Sequence, residues 1–240
     1  LWMIVASFLF AGMGVCVKLA AEAGFAAAEI VFYRCAIALV LMTGAVLLRG
    51  VRLATPHWGF QLNRAISGFL ALSLYFWAIT LLPLATAVTL NYTAPLFLAL
   101  LLVCTGLRLS WGMGLSLTMG FFGVALLLKP SFSAEQWFGG LIGLSSGVLA
   151  ALAYYNVREL GELGEPETRT VFYFSLFSTL GSLVWLAFSP LHPLRGRGAL
   201  ALLGVGVLAT LAQLAMTRAY ARGKPLVSAS LAYTTVVFSS

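Results

Sequence analysis

Of 240 residues, 61% are hydrophobic and only 9% charged, and all seven acidic residues are Glu. Soluble domains are about a quarter charged, so a water-soluble fold of this length could not cover its surface. The net charge of +7 sits on singly scattered Lys and Arg without a basic stripe, which excludes a nucleic-acid partner and leaves topology signalling as their use.

In chain order, apolar runs predict helical spans at 2–21, 29–48, 65–82, 84–105, 111–128, 138–157, 170–188, 199–221 and 225–240. Each approaches the roughly 20 residues that a helix needs to cross hydrocarbon. None shows the alternation of an outer-membrane barrel. The first run lacks a basic leader and a small-residue cleavage site, so it reads as a span and not as a signal peptide.

With the N-terminus in the cytoplasm, the inner loops carry Arg49, Arg52, Arg64, Arg108, Arg158, Arg169, Arg222 and Lys224. The outer loops then carry Lys129, Arg195 and Arg197. The stretch from Arg158 to Arg169, with Glu159, Glu162, Glu165 and Glu167, reads as a solvated linker between two halves.

Those halves repeat. At an offset of 140, Val17–Lys18 meets Val157–Arg158, and Val31–Phe32–Tyr33 meets Val171–Phe172–Tyr173. At 141, Ala78 meets Ala219, and Leu90, Tyr92, Thr93 and Phe97 meet Leu231, Tyr233, Thr234 and Phe238. A nearly constant offset across four helix pairs predicts duplication. The units are residues 1–130, with five spans, and 131–240, a second copy lacking its last helix. An odd number of spans per copy inverts the second one, as in secondary transporters with sites at the repeat interface. The register places a tenth helix after residue 240, so a trimmed or partly ordered ten-helix protein is expected.

Phe32–Tyr33–Arg34, Tyr75 to Thr80 followed by Leu81–Leu82–Pro83–Leu84, and Asn91–Tyr92–Thr93–Ala94–Pro95–Leu96–Phe97 form a set of motifs. On these the sequence, over its whole length, resembles the EamA-like members of the drug/metabolite transporter superfamily. In the second copy Val236 stands where the Pro would be, so that half is expected to be more regular. The resemblance implies an all-α polytopic membrane protein with ten helices in a 5+5 inverted repeat, and a cavity lined by helices one, three, four, six, eight and nine. It also implies transport of amino acids, nucleotide-related metabolites, cofactors or drugs, commonly outward and in bacteria, which places the chain in the inner membrane.

Polar side chains at membrane depth are the candidates for that cavity. Thr86, Thr89 and Thr93 share one helical face bordered by Tyr92, and Ser230, Tyr233 and Thr234 rebuild much of it. Interhelical hydrogen-bonding is the other use for such hydroxyls. Pro95 deprives the Asn91 carbonyl of its helical donor, leaving either a cavity-lining group or a packed kink. Thr210, Gln213, Thr217 and Tyr220 share a face of the eighth span. Tyr75 and Trp77 offer stacking surfaces or ordinary packing, and Arg34 either pairs with Glu29 or Glu22 or holds a substrate carboxylate. The candidate substrate-binding set is therefore Arg34, Tyr75, Trp77, Thr89, Asn91, Tyr92, Thr93, Gln213, Ser230, Tyr233 and Thr234.

Every Glu lies in a loop or at a span end, so no acidic proton relay is visible. Enzyme motifs are missing, and Gly139–Gly143–Gly147 reads as close helix packing. Cys16, Cys35 and Cys104 lie in apolar runs, and His57 and His192 lie in loops beside Pro. That pattern calls for no metal and no cofactor. The expected function is secondary transport of a small neutral or zwitterionic metabolite such as an amino acid, by a monomer or homodimer in a lipid bilayer. The alternative is a channel-like or lipid-flipping protein without carrier-type coupling.

Overall fold

The computed structural model describes the chain except residues 108, 130, 132–135, 190, 195 and 240, and except the side chains of 127, 128 and 239. Arg108 and Arg195 of the charge count therefore lie outside the described residues. The helices are α1 (Trp2–Glu22), α2 (Ala27–Leu48), α3 (Trp58–Leu81), α4 (Leu84–Asn91), α5 (Ala94–Cys104), α6 (Trp111–Leu128), α7 (Trp137–Glu162), α8 (Glu167–Leu186), α9 (Gly196–Arg222), α10 (Pro225–Ala232) and α11 (Thr234–Ser239). The pairs α4–α5 and α10–α11 are single segments broken in the middle, which gives nine segments among the described residues. Six of them are long and apolar enough to cross a bilayer. The outer surface exposes Phe8, Val40, Leu100, Phe122, Leu126 and Leu200, a belt that only lipid could cover without cost.

The first break follows from local chemistry, and the second falls in the segment expected to be more regular. At the first, Pro95 sits in the opening turn of α5, and Tyr92 and Thr93 leave the helix. The Thr93 hydroxyl donates to the Leu90 carbonyl at 2.5 Å. The last segment breaks at Tyr233 without any Pro, and the Thr234 hydroxyl donates to the Leu231 carbonyl at 2.7 Å. The last segment is thus interrupted as well, by one residue where the fourth loses two.

Two turns are built alike. After α1, Gly24 takes φ +96°, and the Phe25 N–H reaches the Ala20 carbonyl at 3.2 Å. After α7, Gly164 takes φ +75°, and the Glu165 N–H reaches the Leu160 carbonyl at 2.9 Å. This six-to-one bond needs a left-handed residue just past the helix, where a glycine carries no Cβ penalty.

In the packing, α1 runs along α9 and α3 along α7. Helix α2 lies against α8 and α9, and α8 against α2 and α3. The halves of the first broken segment rest on α7, and those of the last rest on α1. The glycine ladder of α7 makes the first of these contacts possible. A Cβ at Gly143 would stand 2.8 Å from Leu90 Cδ1, and one at Gly147 would stand 3.0 Å from the Leu90 carbonyl oxygen.

Two expectations from sequence need correction here. Helix α3 begins at Trp58 and not near residue 65, so Arg64 is no loop charge. It is 3% exposed, on a face shared with Gln61, Ser67 and Ala71. The Arg158–Arg169 stretch is no solvated linker either, because α7 runs on to Glu162 and α8 resumes at Glu167. Within that short turn Glu165 is buried. Its carboxylate accepts from the Thr55 hydroxyl at 2.5 Å, the Gln61 amide at 3.2 Å and Arg169 at 2.7 Å. Arg169 also donates to the Arg52 carbonyl, and Glu167 pairs with Arg222 at 2.6 Å.

On the opposite face, Glu29 accepts from the Ala26 N–H at 2.8 Å and the His192 N–H at 2.6 Å, with His192 Nδ1 at 2.9 Å. Each face therefore has a buried carboxylate beside a two-helix turn, gripping a loop from the other half of the chain.

Candidate functional site

Helix α9 aims one polar face into the protein. Gln213, Thr217 and Tyr220 are spaced four and then three residues apart, which stacks them on one side. All three are buried, and among the described residues Gln213 Nε2, Thr217 Oγ1 and Tyr220 OH have no hydrogen-bond partner. Thr210 belongs to the same face but donates to the Gly206 carbonyl at 2.6 Å. Tyr220 stacks on Tyr154 of α7, with ring centroids 4.8 Å apart and planes 12° from parallel.

The helix breaks add to this interior. Tyr92 and Tyr233 face each other with centroids 6.1 Å apart, and the Tyr233 hydroxyl is buried without a partner. Tyr75 is half-buried on α3, its ring edge-on to that of Phe76 with centroids 5.9 Å apart. Buried polar groups are satisfied in nearly all native structures, so a file of orphaned atoms marks a place where water or a solute completes the bonding.

The hydroxyl stripes serve the breaks. Thr89 donates to the Ala85 carbonyl at 2.8 Å, and Ser230 donates to the Leu226 carbonyl at 3.1 Å. With Thr93 and Thr234 bound to Leu90 and Leu231, all four spend their proton on their own helix. They keep lone pairs for acceptance only. The Asn91 amide reaches across to the Ser146 hydroxyl of α7 at 3.1 Å, fastening the end of α4 to that helix.

Arg34 and Gln213 line one small cavity between α2, α8 and α9, together with Phe174 and Ser175. Glu29 is engaged by His192, and among the described residues Arg34 pairs with neither Glu29 nor Glu22, the two partners weighed for it. Trp77 stands apart from the other candidates. It is 49% exposed on the outer surface, edge-on to Phe138 at 6.0 Å.

Arg64, Tyr154 and Phe174 escaped sequence reasoning. The Arg64 guanidinium carbon lies 4.3 Å from the centroid of the Phe174 ring, and its Nε has no partner. A signal existed: Gln61, Arg64, Ser67 and Ala71 recur at helical spacing once α3 is started at Trp58. Among the described residues no cluster of His, Cys, Asp or Glu could hold a metal ion.

Known proteins share this architecture. A solved crystal structure superposes with a TM-score of 0.88 over 99% of this chain and 84% of its own, at 21% identity, which speaks to the fold. The pseudopaline exporter of Pseudomonas aeruginosa is 33% identical over 240 residues, covering 99% of this chain and 83% of that protein. The riboflavin transporter of Vibrio cholerae is 26% identical over 230 residues, covering 92% of this chain and 75% of that one. The profile of the EamA-like transporter family matches residues 1–129. By sequence relationship and fold together, the chain is a multi-pass membrane protein that belongs to the EamA-like transporter family.

Proposed function

We propose that this protein is a secondary transporter of a small neutral or zwitterionic amphipathic metabolite, such as an amino acid. It works by alternating access between residues 1–130 and an inverted second unit from 131 onward. The observation that carries this reading is the file of buried, unpartnered polar atoms at Gln213, Thr217, Tyr220 and Tyr233, which ends at a broken helix.

Equivalent positions support the two-unit division. Lys18 and Arg158 each stand four residues before the end of their helix, and Val31 and Val171 four residues after the start of theirs. Exchanging α1 with α7, α2 with α8 and α3 with α9 turns the α1–α9 pair into α7–α3, and α2–α9 into α8–α3. All four of these packings exist. A unit that rocks about such an axis would tighten one buried-carboxylate contact as it loosens the other.

In this reading Gln213, Tyr92, Tyr233, Tyr75 and Arg34 meet the solute. Thr89, Asn91, Thr93, Ser230 and Thr234 hold the breaks open around it. Trp77 joins the set only if a solute also touches the lipid-facing side of α3. The relative named for pseudopaline export supports an outward direction. Arg49, Arg52, Arg169, Arg222 and Lys224 fall on the face of the N-terminus and support its cytoplasmic placement.

Counterflow in proteoliposomes with a labelled amino-acid mixture tests the carrier reading. Unlabelled solute inside the vesicles should accelerate uptake, and Gln213→Ala and Asn91→Ala should impair it while membrane expression stays intact. Flux without trans-stimulation would instead favour a channel-like or lipid-flipping protein. Normal transport by both variants would remove the site assignment.

A further inference from the structure

Two arginines lie inside the helical bundle with no carboxylate of the described residues paired to them. Arg64 is 3% exposed on α3, and Arg34 is half-buried on α2; each has its Nε buried without a hydrogen-bond partner. Neither takes part in an ion pair among the described residues. The acids that could have served them are engaged elsewhere: Glu29 by His192, Glu165 by Arg169, and Glu167 by Arg222.

Phe174 connects the two cations. Arg64 lies over its ring at 4.3 Å, and the same side chain lines the cavity that Arg34 shares with Gln213. Gln213 Nε2, the third polar group there, is likewise a donor without an acceptor. The place holds a guanidinium and an amide donor that lack acceptors among the described residues, with the Ser175 and Thr210 hydroxyls beside them and no carboxylate in the lining.

A guanidinium does not shed its charge as a buried amine does, so it cannot relieve its desolvation by neutralising. Two such groups in a low-dielectric interior repel each other, and an anion held between them offsets that repulsion and part of their desolvation cost. The planar fork of guanidinium donors fits carboxylate and phosphate oxygens alike.

We propose that Arg34, Arg64 and Gln213 form a subsite for the oxyanion end of an organic solute, a carboxylate or a phosphate monoester, with the Phe174 ring beside its apolar part. This inference rests on the transport reading but shifts its substrate class: the solute carries an oxyanion, as a zwitterionic amino acid does, and an uncharged solute is left out.

Thermal unfolding of the purified full chain tests it with benzoate, benzamide, phenyl phosphate and inorganic phosphate as probes. Benzoate or phenyl phosphate should raise Tm by a few degrees, and benzamide, which has the same ring without the charge, should not. A response to benzoate alone points to a carboxylate, and a response to the phosphates points to a phosphate; either supports the subsite. Arg34→Gln and Arg64→Gln should each weaken the apparent affinity about tenfold or more. Without any probe, Arg64→Met should unfold no lower than the wild type, because it relieves an uncompensated buried charge. The inference is overturned if benzamide acts as well as benzoate, if no anion shifts Tm, if the shift survives both Gln substitutions, or if Arg64→Met alone lowers Tm by many degrees. Counterflow is read separately: anion stabilisation without trans-stimulated flux removes the transport reading and keeps the subsite, whereas flux without it does the reverse.

Discussion

The Glu165 carboxylate accepts the Thr55 hydroxyl at 2.5 Å, joining the turn between α7 and α8 to the loop between α2 and α3 across 110 residues of chain. Burial alone would push this carboxyl up. The hydrogen bonds from Thr55 and Arg169, the Arg169 charge and the Gln61 amide outweigh burial and hold it below the usual carboxylate value. Glu165→Gln leaves Arg169 without its buried counter-charge, at an expected cost of about 3 kcal/mol in thermal or denaturant unfolding. The folded value is depressed, so the stabilisation is complete above the ordinary carboxylate pKa of 4.5 and fades as pH falls through the lower folded value. A Tm profile in acid should therefore be flatter for Glu165→Gln than for the wild type.

Close approach of α7 to α9 rests on Gly161, where a Cβ would stand 2.5 Å from Ala221 Cα and from its carbonyl oxygen. These are backbone atoms and cannot step aside. Gly161→Ala should destabilise by roughly 1–3 kcal/mol, the usual range for overpacking. Gly14→Ala on α1, with nothing within 4 Å of the added carbon, serves as the control. It should be neutral or slightly stabilising by Tm, and equal losses in the two variants would count against the packing account.

Most of the architecture was legible because a bilayer permits so few solutions. Span length and apolarity located the nine helical segments of the described residues. Misreadings occurred where polar residues lie inside. Gln61 and Arg64 looked like loop residues because hydropathy carries no facing information, yet they form the buried side of the first turns of α3. Glu165 looked solvated because its partners, Thr55 and Gln61, are over a hundred residues away. Pro95 announced one helix break, whereas at Tyr233 no residue type did so. The polar face of α9 was visible as a pattern, but which of its atoms lack partners is a matter of tertiary packing.

Asn91 links α4 to α7 through Ser146, whose own hydroxyl donates to the Gly143 carbonyl at 2.6 Å and so stays satisfied. Asn91→Ala should consequently cost only about 1 kcal/mol of stability, the net worth of one neutral hydrogen bond. Its effect on transport should be larger, because the end of α4 is then free to shift relative to α7. Comparing Tm with initial counterflow rate checks this: a fall in Tm that fully accounts for the lost flux would reduce Asn91 to a packing residue.

Tyr220 and Tyr173 make a pair of opposite sign. The Tyr173 hydroxyl donates to the Leu53 carbonyl at 2.7 Å, so Tyr173→Phe removes a real bond and should lower stability by about 1 kcal/mol. Tyr220 is fully buried, and its hydroxyl has no partner. Tyr220→Phe keeps the stack on Tyr154 and deletes an unsatisfied polar group, so stability should rise by about 1 kcal/mol. Transport should nonetheless fall, since that hydroxyl belongs to the polar file along α9. Functional sites commonly trade stability for an unmet bond in this way. Unfolding and counterflow measured on both variants give the check, and a Tyr220→Phe protein that is less stable yet transports normally would show that its hydroxyl serves the fold and not the solute.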